Sequence, residues 1–273
     1  MNRFRPWRWL VGKGADLVRP VSGYAAPFET VRKQFVRAYP KGLITRLRLP
    51  GTSGNRAATS DNAALDITGD IDIRVAVSLP DWTPGANKDL SVKFGAAGQR
   101  SWAFLVGSGN VLTLTTTANG STSVNNVSLT SIGGTDGQIL LVRVAYDVND
   151  GGGNRVATFY KKATTPETAY ADATVHTGWT TIDAITTAGA TTIFNSTANL
   201  ETGSFASGSR WTTGYFYAHA VYSGIEGTLA YGVDFTEGPV AATVLTDKAN
   251  SLTVTIAQSG ANAATIEEEV SNP

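Results

Sequence analysis

The stretch DVNDGGGN (147–154) opens like a calcium loop and comes nearest to a metal motif in this sequence. A loop of that kind needs oxygen ligands at alternate positions and a bidentate Glu at the twelfth. Here Gly151 stands at the fifth position and Thr158 at the twelfth. The stretch therefore reads as a Gly-rich turn between two strands, and no metal or other cofactor is expected. A calcium site of another kind, on Asp147, Asn149 or Asp150, is the minor alternative.

Groups that could do catalysis are equally sparse. Cys is absent, which removes disulfides, thiolate metal sites and a thiol nucleophile. The two histidines stand apart, and His219, in YFYAHAVY, reads as a packed or hydrogen-bonded strand residue. No Ser-His-Asp order points to a nucleophile, there is no P-loop, and GDIDIR is not a dinucleotide fingerprint. Glycoside hydrolysis needs two carboxyls about 5–9.5 Å apart across a cleft. The acidic run Glu267-Glu268-Glu269 reads instead as part of a mobile terminal tail. No catalytic residue is assigned, and the chain is expected not to be an enzyme.

Binding chemistry is better represented. An exposed indole beside Asn or Asp offers a sugar both an apolar face and hydrogen bonds. Trp82, in LPDWTPG, and Trp179, in HTGWTT, flank turns and are the candidate glycan contacts. Large aromatics that bridge a loop to the core are the competing explanation. Trp102, inside SWAFLVG, reads as core.

The elements that carry these residues are strands. DIDIRVAVSL (70–79) alternates, with Ile71, Ile73, Val75, Val77 and Leu79 on one face and Asp70, Asp72, Arg74 and Ser78 on the other, as a half-buried strand does. Further strands are expected at 89–95, 101–107, 111–118, 124–130, 139–147, 155–162, 191–196 and 215–224, separated by turns such as GSGN, ANGS and GGTDG. A pair at 241–246 and 251–258 follows Pro239. Many short strands with Gly/Asn/Asp turns predict an all-β two-sheet sandwich or jelly roll.

The N-terminus has a different texture. Residues 1–50 hold 11 Lys and Arg against two acids, a net of +9, and residues 51–273 carry −9, so the formal neutrality of the chain is a cancellation. Pro6, Pro20, Pro27 and Pro40 break the segment, although 28–39 could hold a short helix. The expected organisation is a basic, aromatic anchor arm (1–50), a sandwich (51–238) and a C-terminal β-hairpin with an acidic tail (239–273). WLVG is too short for a secretory signal, and no window approaches the ~20 apolar residues of a membrane span. The apolar side chains of the arm need a surface to bury on. Docking on an acidic protein lattice is the leading reading, through Arg3, Phe4, Arg5, Trp7, Arg8, Trp9, Phe28, Arg32, Phe35 and Arg37. Binding of nucleic acid or of a membrane surface are its rivals.

The segments SDNAALDITGDIDIRVAVSLPDWTP (60–84), QRSWAFLVGSGNVLTLTTTANGS (99–121), ILLVRVAYDVNDGGGNRVATFYKK (139–162) and GYFYAHAVYSGIEG (214–227), in that order, resemble a concanavalin A-like, laminin-G-type jelly roll over residues 55–235. The stretch DNAALDITGDIDIR also resembles jelly-roll domains of virion surface proteins of tailed bacteriophages, those of actinobacteria in particular. The resemblance implies carbohydrate binding or protein adhesion, in some members with calcium. It implies a structural protein on the outer surface of a virion, present in multiple copies or as a homo-oligomer. The arm would dock on the major capsid protein or other virion proteins, the sandwich would face host-surface glycans, and no nucleic-acid partner is expected. A minor tail protein with a lectin-like domain and a polysaccharide-active enzyme are the alternatives.

Overall fold

The computed structural model describes residues 44–205 and 210–269. The expected anchor-arm contacts from Arg3 to Arg37 and the short helix at 28–39 lie outside the described residues. The chain divides into two units between Gly42 and Leu43, and the second begins its first strand at Ile44. The sandwich thus starts earlier than residue 51.

The fold is all-β, as its alternating sequence predicts. Two antiparallel sheets of eight strands face each other. The first contains β1 (Ile44–Pro50), β3 (Ile71–Ser78), β8 (Ile139–Asp147), β9 (Asn154–Ala163), β10 (Thr180–Ala188), β14 (Thr213–Ser223), β15 (Thr228–Asp234) and β18 (Thr265–Glu269). Its order is β10-β9-β8-β3-β14-β1-β18, with β15 also on β14. The second runs β16 (Val244–Thr246), β17 (Thr253–Ala257), β2 (Arg56–Thr59), β11 (Leu200–Thr202), β4 (Lys88–Phe94), β5 (Arg100–Gly107), β6 (Val111–Thr117) and β7 (Ser123–Val127). A two-stranded flap, β12 (Ser204–Phe205) with β13 (Arg210–Trp211), lies beside β4.

Between the sheets lies one apolar core. Ile71, Ile73, Val75, Val77 and Leu79 enter it from β3 and its C-terminal extension, and Trp102, Phe104, Val106, Leu112 and Leu114 from β5 and β6. In the regular strands, such as β3, β5 and β6, every second residue points inward, so the period of two sorts the side chains between faces.

The hairpin expected after Pro239 exists, with Leu245 opposite Val254, but it is no separate module: β17 pairs with β2 and extends the second sheet. The run at Glu267–Glu269 is a strand rather than a mobile tail. It pairs with β1, and Arg46 and Arg48 reach Glu267 and Glu269 at 2.9–3.0 Å. The stretch expected as a strand at 191–196 is irregular.

A second departure concerns β3. Its polar face is as buried as its apolar one, because helix α1 (Ala169–Thr174) and the chain that follows cover it. Asp72 is fully buried between two guanidinium groups. Arg74 gives it bonds of 3.1 and 2.7 Å, and Arg143 of 2.9 and 2.8 Å. Arg74 Nη1 also donates to the carbonyls of Ala173 and Val175, closing the C-terminal end of α1. Arg143 Nη2 reaches Glu226 at 3.1 Å. The charges balance and the donors find acceptors, which is the condition for burying them.

Candidate functional site

The outer face of the second sheet carries an open groove of about 500 Å³ over β4–β7, beside the flap. Its floor follows from strand register. In β5 and β6, Trp102, Phe104, Leu112 and Leu114 take the inner face, so Ala103, Leu105, Thr113 and Thr115 face out, with Ala103 opposite Thr115 and Leu105 opposite Thr113. Asn125 of β7 stands opposite Thr115, and the Thr115 hydroxyl donates to its Oδ1 at 2.7 Å.

β4 reaches this face by a change of phase. A bulge between Asp89 and Ser91 leaves Leu90 in the inter-sheet core but turns Val92 and Phe94 outward, where they pack with Ala103 and Phe205. The Phe94 and Phe205 rings are 4.9 Å apart at 36°. Together they make a small aromatic step at one side of the groove.

Two arginines border that step, and they differ. Arg210 donates Nε and Nη2 to the buried Asp89 carboxylate at 2.9 and 2.7 Å and lies 3.9 Å over the Phe205 ring. Burial pushes the Asp89 carboxyl above its ordinary range, and Arg210 works against that rise. Arg100 stands opposite Phe94 in the β4–β5 pairing, its guanidinium 5.4 Å from the ring. Its Nη1 donates to the Ser121 carbonyl at 2.9 Å. The loop that supplies this carbonyl depends on Gly120, whose φ is +76° and where a Cβ would lie 2.9 Å from the Gly98 carbonyl oxygen. Such a surface can stack one sugar face on an aromatic edge and meet its hydroxyls with amide, hydroxyl and guanidinium groups.

The residues expected from sequence fall elsewhere. Trp82 is fully buried, its Nε1 donating to the Gln138 carbonyl at 3.1 Å, so it has no face for a sugar. Trp179 is half-buried on the far sheet, with Arg74 and Arg143 at 5.6 and 5.4 Å from its ring. Its Nε1 donates to Val175. Trp102 lies in the core, as its strand position predicts. The turn at 147–154 spends its polar groups on itself. Asp147 accepts from Asn149 N–H, Asn149 from Gly151 N–H, and Asp150 from Gly152 and Asn154. Among the described residues no three His, Asp or Glu side chains converge as a metal set.

His219 is fully buried beside Tyr231, with Nδ1 2.8 Å from the Thr202 hydroxyl. Burial pushes its pKa down to about 3, so it is neutral over the ordinary pH range. His176 is exposed, and its Nδ1 lies 2.8 Å from Arg74 Nη2.

No protein-family model and no curated protein matches the chain. Among solved structures, it is similar to a native heptameric SAP-like pentraxin from Limulus polyphemus, at 12% identity and a TM-score of 0.42, over 66% of this chain and 76% of that one. The binding domain of botulinum neurotoxin DC is similar in two complexes, with rat synaptotagmin II and with SialylT. Each shows 11% identity and a TM-score of 0.29 over 68% of this chain and 44% of that one. The chain therefore spans less than half the length of those toxin chains. These are remote likenesses of strand arrangement and carry no ligand over to this groove. No helix of the described residues is long and apolar enough to cross a membrane.

Proposed function

We propose that this chain is a non-enzymatic carbohydrate-binding protein displayed on a phage particle. Its basic N-terminal segment docks on the capsid and its sandwich presents a saccharide-binding groove outward. The observation that carries the binding reading is the groove on the second sheet. It sets Phe94 and Phe205 beside Thr113, Thr115, Asn125 and Arg100 on a rigid strand platform. Sites on strands hold such groups more closely in place than loops do.

The virion setting is supported by the resemblance of residues 61–74 to phage jelly-roll domains and by the split of charge. Residues 1–42 carry a net +7 and residues 43–273 a net −7. A basic segment on an acidic body suits a protein that attaches by one end and stays soluble at the other. Capsid and tail placement make the same use of both parts, and labelling of particles in electron micrographs separates them.

The test of binding is a glycan array probed with full-length protein beside Phe205→Ala and Asn125→Ala. Saccharide binding that both variants weaken supports the reading. Binding that neither variant changes moves the site elsewhere, and an array with no binder removes the carbohydrate reading.

A further inference from the structure

The groove contains a charge that the described residues leave without a counter-charge. None of the residues lining it is acidic. Of its two arginines, Arg210 is neutralised by Asp89 in a two-bond pair. Arg100 has no carboxylate partner among the described residues. Only its Nη1 finds an acceptor, a neutral carbonyl, and its buried Nε has none. Elsewhere on this body, Arg74 and Arg143 are matched by Asp72, and Arg46 and Arg48 by Glu267; Arg155 of β9 also lacks a carboxylate, but its Nη1 reaches two carbonyls, those of Ala188 and Gly189. What sets Arg100 apart is its place beside the Phe94 ring in an acid-free groove, on a body with a net charge of −7.

Resting on the carbohydrate reading above, we propose that this groove takes a saccharide unit bearing a carboxylate, a uronate or another sugar acid, and that Arg100 selects it. A carboxylate at Arg100 gains charge-assisted hydrogen bonds, roughly twice as strong as those of a neutral hydroxyl, and supplies the counter-charge that Arg100 lacks. Phe94, beside Arg100, supplies the apolar surface for the sugar ring, and Asn125 and Thr115 lie within the same groove for its hydroxyls. The groove's own positive charge disfavours the basic N-terminal segment of another copy as its occupant.

The experiment uses full-length protein and a panel of uronate oligosaccharides, each paired with its methyl ester, which keeps the sugar backbone and removes the charge. Affinities are measured by titration calorimetry at low and physiological salt. Acid forms are expected to bind about tenfold tighter than their esters, a difference of about 1.4 kcal/mol. Arg100→Gln, checked for an unchanged melting temperature, is expected to abolish that preference, so that acid and ester forms bind alike. Arg100→Lys is expected to restore part of it. If Arg100→Gln lowers the melting temperature, Arg100→Lys alone decides, and its acid preference must fall between wild type and unity. Equal binding of acid and ester by wild-type protein overturns the selection and leaves the carbohydrate reading standing. A preference that survives Arg100→Gln overturns the assignment to Arg100. Binding to polyglutamate as tight as to the uronates shows a general polyanion surface and also overturns the proposal. Failure to bind any saccharide, acid or ester, removes both readings.

Discussion

Arg210 holds the buried carboxylate of Asp89 through two parallel hydrogen bonds, of 2.9 and 2.7 Å. Asp89 lies on the first strand of the groove and Arg210 on the flap, so this pair ties the flap to the sheet. It also keeps the Arg210 plane over Phe205, which in turn meets Phe94. The floor of the groove is thus set by an ion pair at its margin.

Arg210→Ala is expected to destabilise the fold by about 3 kcal/mol at pH 7, because the carboxylate it leaves behind is buried and unpaired. The cost should shrink toward pH 4.5. The folded-state pKa of Asp89 is already raised, and losing Arg210 raises it further. A carboxyl with a raised folded pKa favours the folded state at low pH and loses that advantage as pH rises. Urea unfolding at the two pH values checks the sign.

Arg74→Ala is expected to cost about 3–5 kcal/mol. It leaves Asp72 with one guanidinium in place of two and strips the last carbonyls of α1 of their donor. From the alternation of β3 alone, Arg74 belongs to a solvated face where alanine is tolerated. Burial by α1 reverses that expectation, and a two-state urea titration of the variant decides it.

The strands with strict alternation were readable: the periods of β3, β5, β6 and β8 show in the residues themselves. What covers the outer face of β3 was not, because α1 is only six residues long and has no apolar stripe of its own. β1 was hidden among basic residues, since Arg46 and Arg48 look like part of the arm until Glu267 and Glu269 are seen beside them. The groove was illegible for a related reason. Leu90, Val92 and Phe94 keep a period of two in the sequence, yet the bulge sends Leu90 to the opposite side of the sheet from the other two. Phe205, which completes the floor, is over a hundred residues away. Trp82 misled because its loop looks like a turn, and the position of Asp136 and Gln138 around it is a tertiary fact.

His219 predicts an acid sensitivity with a definite sign. Its pKa is about 3 in the folded chain, against about 6.5 when exposed. The unfolded state therefore binds the proton first, and the stability that a neutral His219 contributes is complete above pH 6.5 and is lost as pH falls toward 3. The slope approaches about 1.4 kcal/mol per pH unit within that window. His219→Gln removes this proton from the balance. Its unfolding free energy should fall less steeply than that of the wild type between pH 6.5 and 4.5, a difference that parallel urea titrations measure directly.

The boundary at residue 43 yields the last prediction. β1 lies between β14 and β18 and buries Leu47 and Leu49 in the core. Deleting residues 1–50 should therefore unfold the sandwich. Each of those leucines contributes about 1.5–3 kcal/mol when fully buried, and the strand's removal also strips β18 of its partner and Glu267 of its arginines. Deleting only residues 1–42 spares β1 and should leave a soluble protein with a cooperative melt. If the basic segment is the anchor, that shorter deletion should also abolish incorporation into particles, since it removes nine Lys and Arg together with Trp7, Trp9, Phe28 and Phe35. Co-sedimentation of the 43–273 fragment and of full-length protein with particles lacking the protein is the measurement. Loss of binding in the fragment, with its melt intact, places the anchor before residue 43. Equal binding places it on the sandwich, and tight binding of the full-length protein to free DNA or anionic vesicles at physiological salt, without binding to particles, replaces protein docking with one of its two rivals.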